Sequence, residues 1–106
     1  MPAPSNVTQI AIESFSFTIK WDKITGSAAS VLIGYRVRYY LSSNSSFLQT
    51  NSTGNTSDEI KIDSLRPYSN YTIEVSGYTS SGNGNWSAPL TVRTKEAGIV
   101  AAGKMN

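Results

Sequence analysis

Residues 65–75, with the sequence LRPYSNYTIEV, decide the fold of this chain of 106 residues. A proline marks a turn, and after it Tyr71, Ile73 and Val75 are separated by single polar residues. This period of two indicates a strand with one buried face. Because Tyr71 begins the strand after a proline turn, its ring can be buried while its hydroxyl binds the backbone near Leu65, as in a tyrosine corner. The alternative is that Tyr71 is one more core aromatic.

The same alternation recurs along the chain and predicts seven strands, in the segments 10–12, 16–21, 35–40, 47–48, 59–63, 71–76 and 90–92. Turn-forming residues separate them at 22–30, 42–46, 51–57 and 80–85, and no stretch has the apolar spacing of a helix. Seven short strands of this kind predict an all-β fold, a two-sheet antiparallel sandwich of immunoglobulin-like type.

One indole is expected at the centre of this sandwich. Trp21 is large enough to fill the space between two sheets in a chain that has no cysteine and therefore no disulfide. The inward positions of the strands and the turn give the rest of the predicted core, which comprises Tyr35, Val37, Tyr39, Leu65, Tyr71, Ile73 and Val75.

The composition argues against catalysis and against several kinds of ligand. His and Cys are both absent, which removes the usual general base and the usual zinc ligands, and no phosphate-binding or calcium-binding loop is present. The net charge is +2 with the charges scattered singly, so nucleic acid is not an expected partner. No apolar run is long enough to insert into a membrane. We therefore expect a non-enzyme without a cofactor.

Six triplets fit the N-x-[ST] acceptor pattern for N-linked glycans, where chance would give about two. This excess predicts an exported glycoprotein, either at the cell surface or secreted; the alternative is a polar surface rich in Ser and Thr. The six acceptors are Asn6, Asn44, Asn51, Asn55, Asn70 and Asn85.

Four residues are candidates for a recognition surface: Arg36, Arg38, Tyr40 and Trp86. Tyr and Trp offer rigid contact area at low entropic cost. For Trp86 the favoured interpretation is that its indole covers Pro89 at the sandwich edge, and a role in recognition is the alternative. The two arginines could bind a polyanion, but Glu74 should face them from the next strand, and a cross-strand ion pair is the favoured interpretation.

Over residues 4–95 the sequence resembles the fibronectin type III family. The resemblance is carried by an ordered set of residues with the family's gaps: Pro4, Trp21 at the end of its strand, the Gly34-Tyr35 pair, the L-x-P-x-x-x-Y spacing of Leu65, Pro67 and Tyr71, and Gly82, Gly84, Ser87 and Pro89. The missing cysteine pair argues against a standard immunoglobulin domain.

The resemblance implies a non-catalytic extracellular module of a receptor or adhesion protein, similar to the repeats of receptor tyrosine phosphatases and neural adhesion molecules. Its expected partners are proteins and neighbouring tandem domains. The family's topology would place four of the acceptors near one end of the sandwich and two near the other, so a partner is expected to contact a sheet face rather than the loop tips. The acceptors are Asn6, Asn51, Asn55 and Asn85 at the first end, and Asn44 and Asn70 at the second. The alternatives are an accessory domain of a secreted multidomain enzyme and a load-bearing matrix module. Residues 1–3 and 96–106 are expected to be linker segments on either side of the domain.

Overall fold

The computed structural model describes residues 1–97, except for the side chains of residues 44–48. It contains one short 3-10 helix, Gly26–Val31, and eight strands. The strands are β1 Ser5–Ile12, β2 Phe17–Asp22, β3 Gly34–Leu41, β4 Asn44–Gly54, β5 Glu59–Ile62, β6 Asn70–Thr79, β7 Gly82–Trp86 and β8 Leu90–Arg93.

Every strand pairing within residues 1–97 is antiparallel, and the strands form two sheets. The smaller sheet has the order β1-β2-β5, and the larger one has the order β4-β3-β6-β7, with β8 also paired to β6. Both sheets turn an apolar face inward, as in β-sandwiches. The predicted all-β sandwich is confirmed.

The core lies between the sheets around Trp21, which is 1% exposed. Its ring centroid is 5.3 Å from that of Tyr35, which faces it from the larger sheet. The other residues expected in the core are also buried, namely Val37, Tyr39, Leu65, Tyr71, Ile73 and Val75. Ile10, by contrast, is 51% exposed, because two register shifts in β1 interrupt the alternation that the sequence suggested.

Two tyrosine hydroxyls fasten loops to this core. The backbone N–H of Arg66 donates to the Tyr71 hydroxyl at 2.9 Å, which is the geometry of a tyrosine corner. The backbone N–H of Ile24 donates to the Tyr35 hydroxyl at 2.7 Å. In both cases a side chain from the larger sheet satisfies a donor in a loop, so the loops at both ends of the sandwich are tied to its core.

The eighth strand arises because the last strand is interrupted between Trp86 and Leu90. Pro89 has no N–H to donate to β6. Ser87 takes over the pairing at the break, since its N–H donates to the Val75 carbonyl at 2.8 Å and its Oγ accepts from the Val75 N–H at 2.9 Å. Both halves, β7 and β8, therefore pair with β6.

All four segments that the sequence assigned to turns have more regular structure than expected. Strand β4 covers most of 42–46 and the first part of 51–57, and β7 covers most of 80–85. The segment 22–30, where no helix was expected, contains most of the 3-10 helix. Asn and Ser were interpreted as turn residues, but pairing with β3 or β6 overrides that weak local preference.

The ends of the chain were predicted to be linkers. Residues 95–96 are hydrogen-bonded to the turn after β1. The Lys95 N–H donates to the Glu13 carbonyl, and the Ser14 hydroxyl donates to the Glu96 carbonyl. At the other end, the Asn85 N–H donates to the Met1 carbonyl at 3.2 Å. Residues 98–106 of the predicted C-terminal linker lie outside the described residues.

Candidate recognition surface

Strand β3 places three of the four candidate residues on the outer face of the larger sheet. Because Tyr35, Val37 and Tyr39 point inward, the residues that alternate with them point to solvent. These outward residues are Arg36, Arg38 and Tyr40, and all three are half-buried. We call this outer face of β3, β6 and β7 the recognition face.

Arg38 lies at the centre of the recognition face and has two partners. Its Nε donates to Glu74 Oε1 at 2.9 Å, and its guanidinium carbon lies 3.9 Å from the centroid of the Trp86 ring. The side chains of Arg38 and Glu74 are 30% and 18% exposed. The cross-strand ion pair expected from the sequence is present, and the Trp86 ring stacks on the Arg38 guanidinium.

Arg36, two residues before Arg38 on β3, has a similar pair of partners. Its Nη1 donates to Asn83 Oδ1 at 2.9 Å, and its guanidinium carbon lies 4.2 Å from the centroid of the Tyr78 ring. The four candidates chosen from the sequence did not include Tyr78 or Asn83. The outward position of Tyr78 follows from strand alternation, because it lies two positions beyond Ser76 and four beyond Glu74 on one face of a strand.

A third arginine repeats the pattern near the other end of the sheet. Arg93 Nε donates to Asn70 Oδ1 at 3.0 Å, and its guanidinium carbon lies 5.0 Å from the centroid of Tyr68, a ring that is 59% exposed. Each guanidinium is thus held by one oxygen acceptor and one aromatic ring. Stacking of this kind contributes about 0.5–1 kcal/mol at exposed sites and fixes the orientation of the charge.

The geometry of the recognition face is suited to contact with another macromolecular surface. Its rings and guanidinium groups form an array of stacked pairs, Arg38 with Trp86 and Arg36 with Tyr78. Arg, Tyr and Trp are the residue types that dominate protein–protein binding energy. The array can therefore present rigid, partly desolvated contacts without losing much side-chain freedom on binding.

The acceptor asparagines lie in different environments. Asn6 Nδ2 donates to Asp22 Oδ2 at 2.6 Å, and Asn55 Nδ2 donates to the Leu32 carbonyl at 3.1 Å. Asn85 is exposed. Asn51 is half-buried, and its side chain hydrogen-bonds Tyr39. Asn44 begins β4, and its side chain lies outside the described residues.

Among residues 1–97 no group of three or more His, Cys, Asp or Glu could hold a metal ion. An open cavity of about 220 Å³ lies between the sheet edges, lined by Tyr39, Asp63, Arg66 and their neighbours. Burial raises the pKa of Tyr39, and the nearby Tyr71 adds to this, so its phenol is a weaker acid than usual.

No described helix has the length and apolar character that a membrane crossing requires.

The sequence matches a known family profile and several known proteins. Residues 2–93 match the sequence profile described as Fibronectin type III domain. The chain is 33% identical over 107 aligned residues to human Cell adhesion molecule DSCAM, and 32% identical over 95 to Tyrosine-protein phosphatase Lar of Drosophila melanogaster. These matches cover 93% and 89% of this chain but only 5% of each relative.

Among solved structures, the chain is similar to the fn3 domain of human contactin 1, with a TM-score of 0.84 and 21% identity. That alignment covers 97% of this chain and 85% of the contactin chain. The likeness supports the fold, and the match to Lar concerns a short part of that protein.

Proposed function

Because the chain belongs to the fibronectin type III domain family, we propose that it is a non-catalytic extracellular module of a cell-surface adhesion protein or receptor, which spaces its neighbours and recognises a protein through the recognition face. The chain is closely related to repeats of adhesion molecules such as DSCAM. That sequence similarity favours an adhesion module over an accessory domain of a secreted enzyme or a load-bearing matrix module.

The spacing role is supported by where the chain enters and leaves the sandwich. Strand β1 begins opposite Asp22, and β8 ends opposite Asn70. These two positions lie at opposite ends, because Asp22 precedes the connection to β3 whereas Asn70 follows the turn from β5. Domains joined through residues 4–95, the proposed domain, would therefore follow one another along the sandwich.

The single observation that carries the recognition role is the stacked pair of Arg38 and Trp86. Arg38 is oriented by Glu74 and by the indole, so its donors are already fixed before a partner arrives. Glu74 also neutralises its charge, which disfavours a heparan-type polyanion and favours a protein with matched polar groups. Retention on immobilised heparin at physiological salt would contradict this part of the proposal.

The test compares two variants of the recognition face with one variant on the other sheet. The purified chain, multimerised on beads, is assayed for aggregation with its own copies and for binding to cells that display adhesion ectodomains. We expect Arg38→Ala and Trp86→Ala to reduce binding at least tenfold, and Lys61→Ala, on β5, to leave it unchanged. Equal loss in all three variants, or full binding by the two face variants, would refute the assigned surface.

A further inference from the structure

The two sheets differ in how their free edges are protected against pairing with another strand. An edge strand exposes unpaired N–H and C=O groups, and natural proteins interrupt or charge such edges. In residues 1–97 the edge β1 is interrupted by two register shifts. The edge β5 has only four residues, two of them the charged Glu59 and Lys61. The edge formed by β7 and β8 is broken at Pro89.

Strand β4 has none of these protections along most of its length. It is the edge of the larger sheet, pairs only with β3 in the described residues, and runs for 11 residues, Asn44–Gly54. Its one register shift lies beside the turn from β3, between the pairings of Tyr39 and Leu41. It contains no charged residue and no proline, and residues 39–57 are free of charge altogether. A long edge with this composition is a site for unwanted strand pairing.

Three of the six glycan acceptors are concentrated on this edge. Asn44 is the first residue of β4, Asn51 lies within it, and Asn55 follows its last residue. Asn55 is exposed, and its Nδ2 donates to the Leu32 carbonyl. A glycosylated amide retains one N–H, so this bond is compatible with a glycan. Asn51 is half-buried and hydrogen-bonded to Tyr39, which leaves less room for one.

We propose that N-linked glycans at Asn44 and Asn55 flank β4 and keep this edge from pairing with the same edge of a second copy. In forming each glycan, Nδ2 bonds to C1 of the sugar of a lipid-pyrophosphate-linked oligosaccharide. The C1–O bond to the pyrophosphate breaks, and one amide proton is released. The bulk and hydration of the glycans take the place of the charges that protect β5. This inference rests on the proposed extracellular location.

The test begins with glycan occupancy. The chain is secreted from a glycosylating cell line, and site-resolved mass spectrometry of its glycopeptides is expected to find Asn44 and Asn55 occupied. Secreted protein with both sites empty would overturn the proposal. It would leave the recognition role intact, because that role is tested by Arg38→Ala and Trp86→Ala on a different surface.

The second part asks what the glycans prevent. Ser46→Ala combined with Ser57→Ala removes both acceptor triplets without changing either asparagine. Removing the glycans with an amidase would be unsuitable, because it converts each asparagine to aspartate and so adds a protecting charge. We expect the secreted double variant to fold with an unchanged melting temperature and to double its mass in light scattering. A dimer is expected because two copies of one edge pair symmetrically and leave no second β4 free.

Two controls separate strand pairing from general loss of solubility. Asn85→Gln removes an acceptor from the other edge of the same sheet and is expected to leave a monomer. Adding Gln49→Lys to the double variant places a charge in mid-strand, on the face of β4 that pairs with Tyr39, and should restore the monomer. A monomeric double variant, or a dimer that persists with Gln49→Lys, would overturn the proposal.

Discussion

Replacing Tyr71 with Phe isolates the contribution of one hydroxyl to the stability of the sandwich. The ring is 5% exposed and packs edge-on against Phe17 and Tyr39, at centroid distances of 6.0 and 6.4 Å. Those contacts remain in the variant. What is lost is the acceptor 2.9 Å from the backbone N–H of Arg66. A donor deprived of its partner in a buried site costs about 1–3 kcal/mol. Because this site is only partly buried, we expect about 1–2 kcal/mol.

The assay is urea unfolding followed by circular dichroism. With a urea dependence of about 1 kcal/mol per molar for a small domain, the midpoint should fall by about 1–2 M with an unchanged slope. Tyr68→Phe is the matched control, because it deletes the same atom from a ring that is 59% exposed, and it should change stability by less than about 0.5 kcal/mol. If Tyr71→Phe were as stable as its control, the hydroxyl would not be what fastens the turn, and the reasoning would fail.

Three further predictions test other parts of the fold. Gly34→Ala should cost about 3 kcal/mol or prevent folding, because the new Cβ would collide with the backbone carbonyl of Thr53, whereas Gly54→Ala, which meets nothing within 4 Å, should melt like the wild type. Trp86→Ala should show a coupling of about 0.5–1 kcal/mol with Arg38→Ala in a double-mutant cycle, and additive effects would argue against the stack. Burial raises the pKa of Tyr39 in the fold above 10.0, so stability should be complete below pH 10 and fall as the pH rises past it; a Tyr39→Phe variant with the same decline would contradict this.

The sequence was sufficient to predict the layers and the core, because those depend on a period of two that few other structures produce. Tyr35, Val37 and Tyr39 had to share one face, and Trp21, at an inward position of its own strand, was large enough to occupy the space opposite them. The same alternation placed Arg36 and Arg38 outward. The alternation of side chains depends only on the strand itself, so it can be predicted without knowing which strands are neighbours.

What could not be predicted depends on pairing between distant segments. The length of β4 and the strand character of residues 82–86 follow from hydrogen bonds to β3 and β6, whereas Asn, Ser and Gly by themselves favour turns. The stack of Trp86 on Arg38 was missed for the same reason, since it required the register that sets Trp86 opposite Ser76. Register also decides which aromatic ring meets each arginine.

The environments of the two tryptophans make them separate optical reporters. The Nε1 of Trp21 is buried and has no hydrogen-bond partner among the described residues, so its fluorescence should be emitted at short wavelength, as expected of an indole shielded from solvent. Trp86 is half-exposed beneath a guanidinium, so its emission should lie further to the red and respond to whatever covers that cation. One spectrum can therefore follow the interior and the outer face of the same molecule independently.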